Sequence, residues 1–482
     1  MNKKKLIALI IAVACALTAL FLPAECYHIQ NLSVVEQRII AIFIFAAIMW
    51  VGEAIPIWTT SVVVIVLMLL MVSDSSIIFL RGENVEGMRA FGKLLKAKTI
   101  MASFADPIIM LFLGGFFLSI GAGKCGLDRN LARILFKPFG NKSANVLLGL
   151  MFVTAIFSMF MSNTATAAMM FAVMAPILAP MKDSGKGRIA LVLAIPIAAN
   201  VGGIGTPIGT PPNAIALKYL NDPEGLNLGI GFGQWMLVMT PFVIGIILLA
   251  WGLLLKIYPF YRKELNISFE GKFEKSPKAY IVYATFIVTV LLWMFDKLTG
   301  INSNVVAMIP IAVFCATGVI TREDLKQINW DVLWLVAGGF ALSVGLQDSG
   351  LAKNMIGSIP FAKWPPIETI IGAGLLCYAM STFMSNTATT ALLIPVLATV
   401  AKGMGDAIAP FGGVSTLLIG VALSASFAMA LPISTPPNAI AHSVGLTTQK
   451  QMASVGLTVG VIGLALGYSL LFILGKSNYF GF

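Results

Sequence analysis

The stretch FMSNTAT occurs twice in this chain, at Phe160–Thr166 and again at Phe383–Thr389. Each copy lies in the middle of a long apolar segment, 144–181 or 367–401. One straight helix of about 35 residues would be about 52 Å long, far more than a bilayer needs. Two antiparallel helical arms meeting at the polar motif fit better, which predicts a re-entrant hairpin at each copy. Ser, Asn and Thr at the tip are good residues for starting the return arm.

The surroundings are those of a membrane protein. The 482 residues are 58% hydrophobic and 11% charged, with a mean hydropathy of +0.91. Runs of roughly 20 apolar residues recur, the length of a spanning helix. A β-barrel would show short alternating segments instead. Crossings are expected near 5–22, 36–54, 57–73, 106–123, 188–220, 232–256, 279–296, 303–320, 330–346, 412–443 and 453–475. The fold class is therefore an all-α polytopic membrane protein with 11 transmembrane helices and two re-entrant hairpins.

The net charge of +11 reflects basic residues held in cytoplasmic loops. With Lys3–Lys5 inside, Lys124–Lys142, Lys182–Arg188, Lys256–Lys278 and Arg322–Lys326 are also inside. The segment 74–105 falls outside despite its five basic residues. MNKKK and the apolar run after it read as a retained first helix, because no clear small-x-small cleavage site follows. Cys15, Cys26, Cys125, Cys315 and Cys377 form no CxxC and read as packing residues. Two histidines are too few for a histidine-based metal centre. GLDRNLARILFKPFGNK (126–142) reads as a basic amphipathic helix at the interface, and 347–365 is a second connector.

FMSNTAT recurs at an offset of 223, TPPNAIA (Thr210–Ala216, Thr435–Ala441) at 225, and GGF (Gly114–Phe116, Gly338–Phe340) at 224. Three motifs at one spacing mean a duplicated unit. The second GGF helix is the fifth crossing after the first, an odd number, so the copies point opposite ways through the membrane. Inverted repeats of this kind are a signature of secondary transporters, with sites near the midplane.

GGIGTPIGTPPNAIA (Gly202–Ala216) and FAMALPISTPPNAIA (Phe427–Ala441) cannot remain regular helix. Unwound backbone at that depth must line protein or a watery cavity. Thr210 and Thr435 sit at N-cap positions, and Pro211 and Pro436 take the first helical position. Four helix N-termini would then converge, together worth on the order of +2 charge, a match for a dianion. Exposed carbonyls with Ser and Asn oxygens would suit a small cation such as Na⁺. No Asp, Glu, Lys or Arg occurs within 144–181, 189–217, 370–401 or 407–449. Cation and polyanion would therefore neutralise each other, a reason for coupled binding.

Ser, Thr and Asn in membrane helices often serve only to bond helices together. Two SNT and two TPPN motifs in inverted copies favour a binding site over that reading. Asp106 and Asp331 read as helix-starting caps, and Glu53 in WVGEAIPIWTTS as structural at the cytoplasmic side. The methionines read as filler. An intramembrane enzyme would need a nucleophile with a base, or a metal cluster, and the candidate site offers neither.

The paired SNT and TPPNA motifs and WVGEAIPIWTTS together resemble the divalent anion/sodium symporter (DASS) family, over nearly the whole chain. The resemblance implies a homodimer in the cytoplasmic (inner) membrane, with the N-terminus cytoplasmic and no nucleic-acid partner. It also implies an elevator mechanism, in which a transport domain slides against a scaffold. On that pattern, 1–125 are scaffold helices and 126–143 an interfacial helix. The first half of the transport domain is 144–220, followed by further scaffold helices at 221–346, a connector at 347–366 and the second half at 367–476. The substrate would be a C4-dicarboxylate such as succinate, with citrate or sulfate in some branches. By motif, Ser162, Asn163, Thr164, Thr210, Pro211, Ser385, Asn386, Thr387, Thr435 and Pro436 would meet its carboxylates. Two or more Na⁺ would be coupled, one site using Ser158, Ser162, Asn163 and Gly209, another Ser381, Ser385, Asn386 and Ser434. A dicarboxylate exchanger would share the substrate site without depending on sodium. A channel fits the midplane breaks less well than alternating access does.

Overall fold

The computed structural model describes residues 3–82, 89–178, 181, 185–222, 226–265, 274–477 and 479–480. Of the loops expected at the membrane surfaces, positions 83–88, 182–184 and 266–273 lie outside the described residues. The described chain is helical with no strands, and ten of its helices are long and apolar enough to cross a membrane.

Three helices open the chain: α1 (Lys3–Phe21), α2 (Val34–Gly52) and α3 (Ile57–Val72). A capping box at Ser33 and Glu36 starts α2, and Pro56 stands immediately before α3. Then α4 (Pro107–Lys124) leads through α5 (Leu127–Phe136) to α6 (Ser143–Phe160) and α7 (Asn163–Leu178). Next come α8 (Lys186–Gly203), α9 (Pro211–Asn221), α10 (Phe232–Ile257), α11 (Pro277–Met294) and α12 (Met308–Ala316). The second half repeats the order: α13 (Trp330–Asp348), α14 (Leu351–Ser358), α15 (Pro366–Phe383), α16 (Asn386–Met404), α17 (Gly413–Phe427), α18 (Pro436–Ser443) and α19 (Gln449–Lys476).

The duplication is visible in packing as well as in order. α4 packs on α12, and α13 packs on α3. The first glycine of each GGF makes the close approach. A methyl group built on Gly114 would lie 2.8 Å from the Cβ of Ala307, and one on Gly338 would lie 2.8 Å from the Cα of Ser61.

Both expected interruptions are present. The crossing expected at 188–220 is α8 and α9 with a break over 204–210, and 412–443 is α17 and α18 with a break over 428–435. Each FMSNTAT is a two-residue break between contacting helices, Met161-Ser162 and Met384-Ser385. The spanning-length helices include α6, α15 and α16, three of the four FMSNTAT arms. Length and composition thus count arms and crossings alike.

The basic loops assigned to one side of the membrane do meet at one end of the molecule. Lys124 Nζ pairs with Asp324 at 2.5 Å and donates to the Val319 carbonyl at 2.8 Å. Ser143 N donates to the Lys263 carbonyl, and Lys278 Nζ to that of Gly318. The connector helix α5 buries Leu127, Ala132 and Phe136 and exposes Arg129 and Arg133.

One cap expectation is corrected. Asp106 does cap α4, accepting from Ile108 N at 3.0 Å. Asp331 is not a cap: Asn329 precedes α13 and Asp331 lies in its first turn, exposed.

Candidate functional site

The break over 204–210 is held open by the asparagine of its own TPPN motif. Asn213 Nδ2 donates to the carbonyls of Gly203 (3.1 Å), Ile204 (3.3 Å) and Thr206 (2.9 Å). In the other repeat, Asn438 Nδ2 donates to the carbonyls of Met429 (2.7 Å) and Leu431 (2.9 Å). Both asparagines are fully or nearly fully buried. A carbonyl freed from a helix at this depth needs a donor, and the side-chain amide supplies it.

The FMSNTAT tips dock beside these breaks. Ser158 Oγ donates to Asn163 Oδ1 at 2.5 Å and lies 2.7 Å from the Ala199 carbonyl. Ser381 Oγ lies 2.7 Å from Asn386 Oδ1 and 3.3 Å from the Ala425 carbonyl. A methyl group built on Gly203 would lie 2.9 Å from Gly209 O and 3.0 Å from Asn163 Oδ1. In each half a serine hydroxyl, an asparagine oxygen and a backbone carbonyl therefore converge. The first half adds the Gly209 carbonyl beside Asn163.

The ten residues expected to meet substrate all line one cavity of about 920 Å³: Ser162, Asn163, Thr164, Thr210, Pro211, Ser385, Asn386, Thr387, Thr435 and Pro436. Of the expected cation ligands, Gly209 and Ser434 also reach its wall, while Ser158 and Ser381 are fully buried behind the tips. The Ser434 hydroxyl donates to the Thr382 carbonyl at 2.6 Å and accepts from Leu431 N at 3.1 Å. The charged residues on the cavity wall are Glu53, Lys326 and Asp331, all exposed, and none belongs to a tip or a break. Glu53, expected to be merely structural, ends α2 with φ 43° and lines this cavity.

The electrostatics differ from the sequence expectation in one respect. The first intrahelical bonds of α7 and α16 are Thr166 N to Ser162 O and Thr389 N to Ser385 O. The amides of residues 163–165 and 386–388 therefore have no acceptor within their helices. At α9 and α18 the first two residues are prolines, which carry no N–H. Asn213 N is engaged with the Thr210 carbonyl at 3.2 Å, and Asn438 N with Thr435 Oγ1 at 3.4 Å. Within the four helices, the free amides are therefore those of the two tips, on the order of +1 charge instead of +2. The broken helices contribute hydroxyls, Thr210 and Thr435, in place of amides.

Sequence reasoning missed the Ala199 and Ala425 carbonyls and Asn200. A carbonyl belongs to every residue, so side-chain identity gives no signal for it. Asn200 was findable: it is polar within the charge-free stretch 189–217, two residues before the glycine pair. Its Nδ2 crosses to the other repeat, 3.1 Å from Thr435 Oγ1 and 3.3 Å from Asn438 Oδ1.

Known proteins resemble the chain along most of its length. A family model described as citrate transporter (CitMHS) matches residues 45–417. An uncharacterized transporter of Haemophilus influenzae is 32% identical over 447 residues, covering 88% of each chain. The sodium-dependent dicarboxylate transporter SdcS of Staphylococcus aureus is 30% identical over 476 residues, covering 90% of this chain and 85% of that protein. The crystal structure of the Alcanivorax borkumensis YdaH transporter superposes with a TM-score of 0.49 at 12% identity, over 80% of this chain and 89% of the other. The chain is a multi-pass membrane transporter and not an enzyme, and it belongs to the citrate transporter family, among the divalent anion/sodium symporters that its motifs resemble.

Proposed function

We propose that the chain couples inward sodium movement to uptake of a doubly negative C4-dicarboxylate of the succinate type. The observation that carries this reading is the pair of equivalent oxygen clusters, Ser158–Asn163–Ala199 and Ser381–Asn386–Ala425, behind the two tips that line the cavity. Neutral oxygens at this spacing suit Na⁺. The tips face the cavity with free amides, which favour an anion. Because no tip or break residue is charged, sodium supplies the countercharge, and each guest raises the affinity for the other. The sodium dependence and dicarboxylate specificity named for the staphylococcal relatives accord with it.

In this reading, the tips and breaks (144–220 and 367–476) form a mobile domain that slides past a dimeric scaffold. The tip arms enter and leave on one side, and the N-terminus and basic loops are cytoplasmic in the inner membrane. Citrate or sulfate is the alternative cargo, and dicarboxylate exchange the alternative mode.

Labelled succinate uptake into proteoliposomes tests the proposal, with Na⁺, K⁺ and pH gradients imposed separately. Uptake driven by the sodium gradient alone is expected. Counterflow that is equally fast without sodium would favour exchange and remove the coupling.

A further inference from the structure

The two halves of the site are equivalent at their serines and TPPN asparagines but not at Asn200. The Ser158 and Ser381 hydroxyls contact the carbonyls of Ala199 and Ala425, while the repeat spacing of 225 sets Asn200 against Ala425, with Ser426 the next residue. Ser426 Oγ turns back to the Ala422 carbonyl of its own helix at 2.9 Å. Asn200, 3% exposed, instead reaches Thr435 and Asn438 in the opposite repeat.

The consequence falls on Thr435. A threonine hydroxyl has one hydrogen and two lone pairs. Thr435 Oγ1 accepts from Asn200 Nδ2 at 3.1 Å and from Asn438 N at 3.4 Å. Both lone pairs are occupied, and the hydrogen is left to be donated. Thr435 lines the cavity together with Pro436, so a cavity ligand is the partner available to it. The Asn438 N–H is a backbone group fixed at the helix start, and the Asn438 side chain is itself held by Nδ2 on the Met429 and Leu431 carbonyls. Thr210, the matching residue, makes no such cap bond and can serve as donor or acceptor.

We infer that Asn200 is a positioning residue that makes Thr435 an obligate hydrogen-bond donor. The site thereby becomes unequal at its two ends: the Thr435 end demands an acceptor such as an ionised carboxylate, and the Thr210 end also tolerates a donor. This rests on the anion-transport reading above and deepens it.

A double-mutant cycle tests the inference. The full-length protein, purified in NaCl, is titrated with succinate, and the concentration giving half-maximal thermal stabilisation is compared among wild type, Asn200→Ser, Thr435→Val and the double variant. Asn200→Ser keeps a small polar side chain at this position, too short to reach Thr435. It should weaken succinate about tenfold, the size of one net hydrogen bond to a charged group. In the Thr435→Val background, which has no hydroxyl to orient, it should change affinity less than about twofold. Equal losses in both backgrounds would make Asn200 a packing residue and overturn the assignment. Asn200→Asp, near-isosteric but accepting from Thr435 where asparagine donates, runs the same cycle should the serine variant not fold. Loss of monodisperse protein in both variants would also overturn the assignment. A wild-type protein unresponsive to succinate, citrate and sulfate alike would overturn the anion reading as well, which separates the two failures.

Discussion

Ser158 and Ser381 carry the most chemistry per atom, since each hydroxyl sits between an asparagine oxygen and a helix carbonyl. With Na⁺ bound, the hydroxyl oxygen would turn from donor to ligand while its neighbours stay in place. Ser158→Ala and Ser381→Ala should each raise the sodium concentration for half-maximal uptake about tenfold, with uptake recovering at saturating sodium. An unchanged sodium titration would remove that serine from the site. Gly203 offers a sharper test. A methyl group there would lie 2.9 Å from Gly209 O and 3.0 Å from Asn163 Oδ1, inside the first cluster. Gly203→Ala should therefore damage sodium dependence as severely as Asn163→Ala does. The matching residue of the second half is already alanine, the buried Ala428, so the two proposed cation sites would not be interchangeable. The serines and asparagines were legible because a side-chain type at a repeated spacing is a signal. The smaller positive charge was legible too, since Pro211-Pro212 and Pro436-Pro437 stand in the sequence without N–H groups. A helix start that opens on two prolines does not supply the free amides that other helix starts do.

At the scale of elements, the broken helices were legible from Pro, Gly and the TPPN asparagines, whereas the way each break is fastened to its tip was not. In the first half Thr206 Oγ1 donates to the Met159 carbonyl and accepts from Gly209 N at 3.0 Å. In the second half Ser434 Oγ donates to the Thr382 carbonyl at 2.6 Å and accepts from Leu431 N at 3.1 Å. The repeat aligns Thr206 with Leu431 and Gly209 with Ser434, so the same fastening is made from opposite ends of the break. No single position carries it in both copies, and a position-by-position reading sees only unrelated substitutions. Ser434→Gly should release the second break from its tip and lower stability by about 1–3 kcal/mol, leaving the Thr382 carbonyl buried without its donor. Adding Leu431→Thr to that variant should rebuild the first-half arrangement and recover most of the loss, read as the melting temperature in detergent. If Leu431→Thr only lowers stability further, the two fastenings are not equivalent.

At the scale of the whole molecule, charged and aromatic residues gather at two separate ends of the site. Glu53, Trp58, Lys326 and Trp330 surround the cavity on the side where Lys124 meets Asp324. At the other end Lys218 on α9 pairs with Asp106 at the start of α4, Nζ to Oδ2 2.6 Å, and stacks over the Phe340 ring at 3.4 Å from its centroid. The pair joins a broken helix to the GGF helices of both repeats, the contact that must part if the site is to open on that side. In the proposed cycle the inverted repeats exchange roles when the opening changes sides, so the matching contact for the opposite orientation would be built from Trp330, Ser443 and Phe116. That set contains no ion pair. In the proposed two-orientation cycle, the orientation seen here is favoured by a largely desolvated ion pair that the other lacks, a bias of about 1–2 kcal/mol or 5- to 30-fold in population. Asp106→Asn should reduce it. In a cysteine-free background, a cysteine at the cavity-lining Val332 would then react more slowly with a bulky thiol reagent, because the opening it lines is less often present. Trp330→Asp with Ser443→Lys, added to Asp106→Asn, should slow labelling further by moving the pair to the opposite end. Labelling unchanged by Asp106→Asn would mean the pair fixes α9 to α4 in every orientation, and the gate would then have to be sought elsewhere between the tips and the GGF helices.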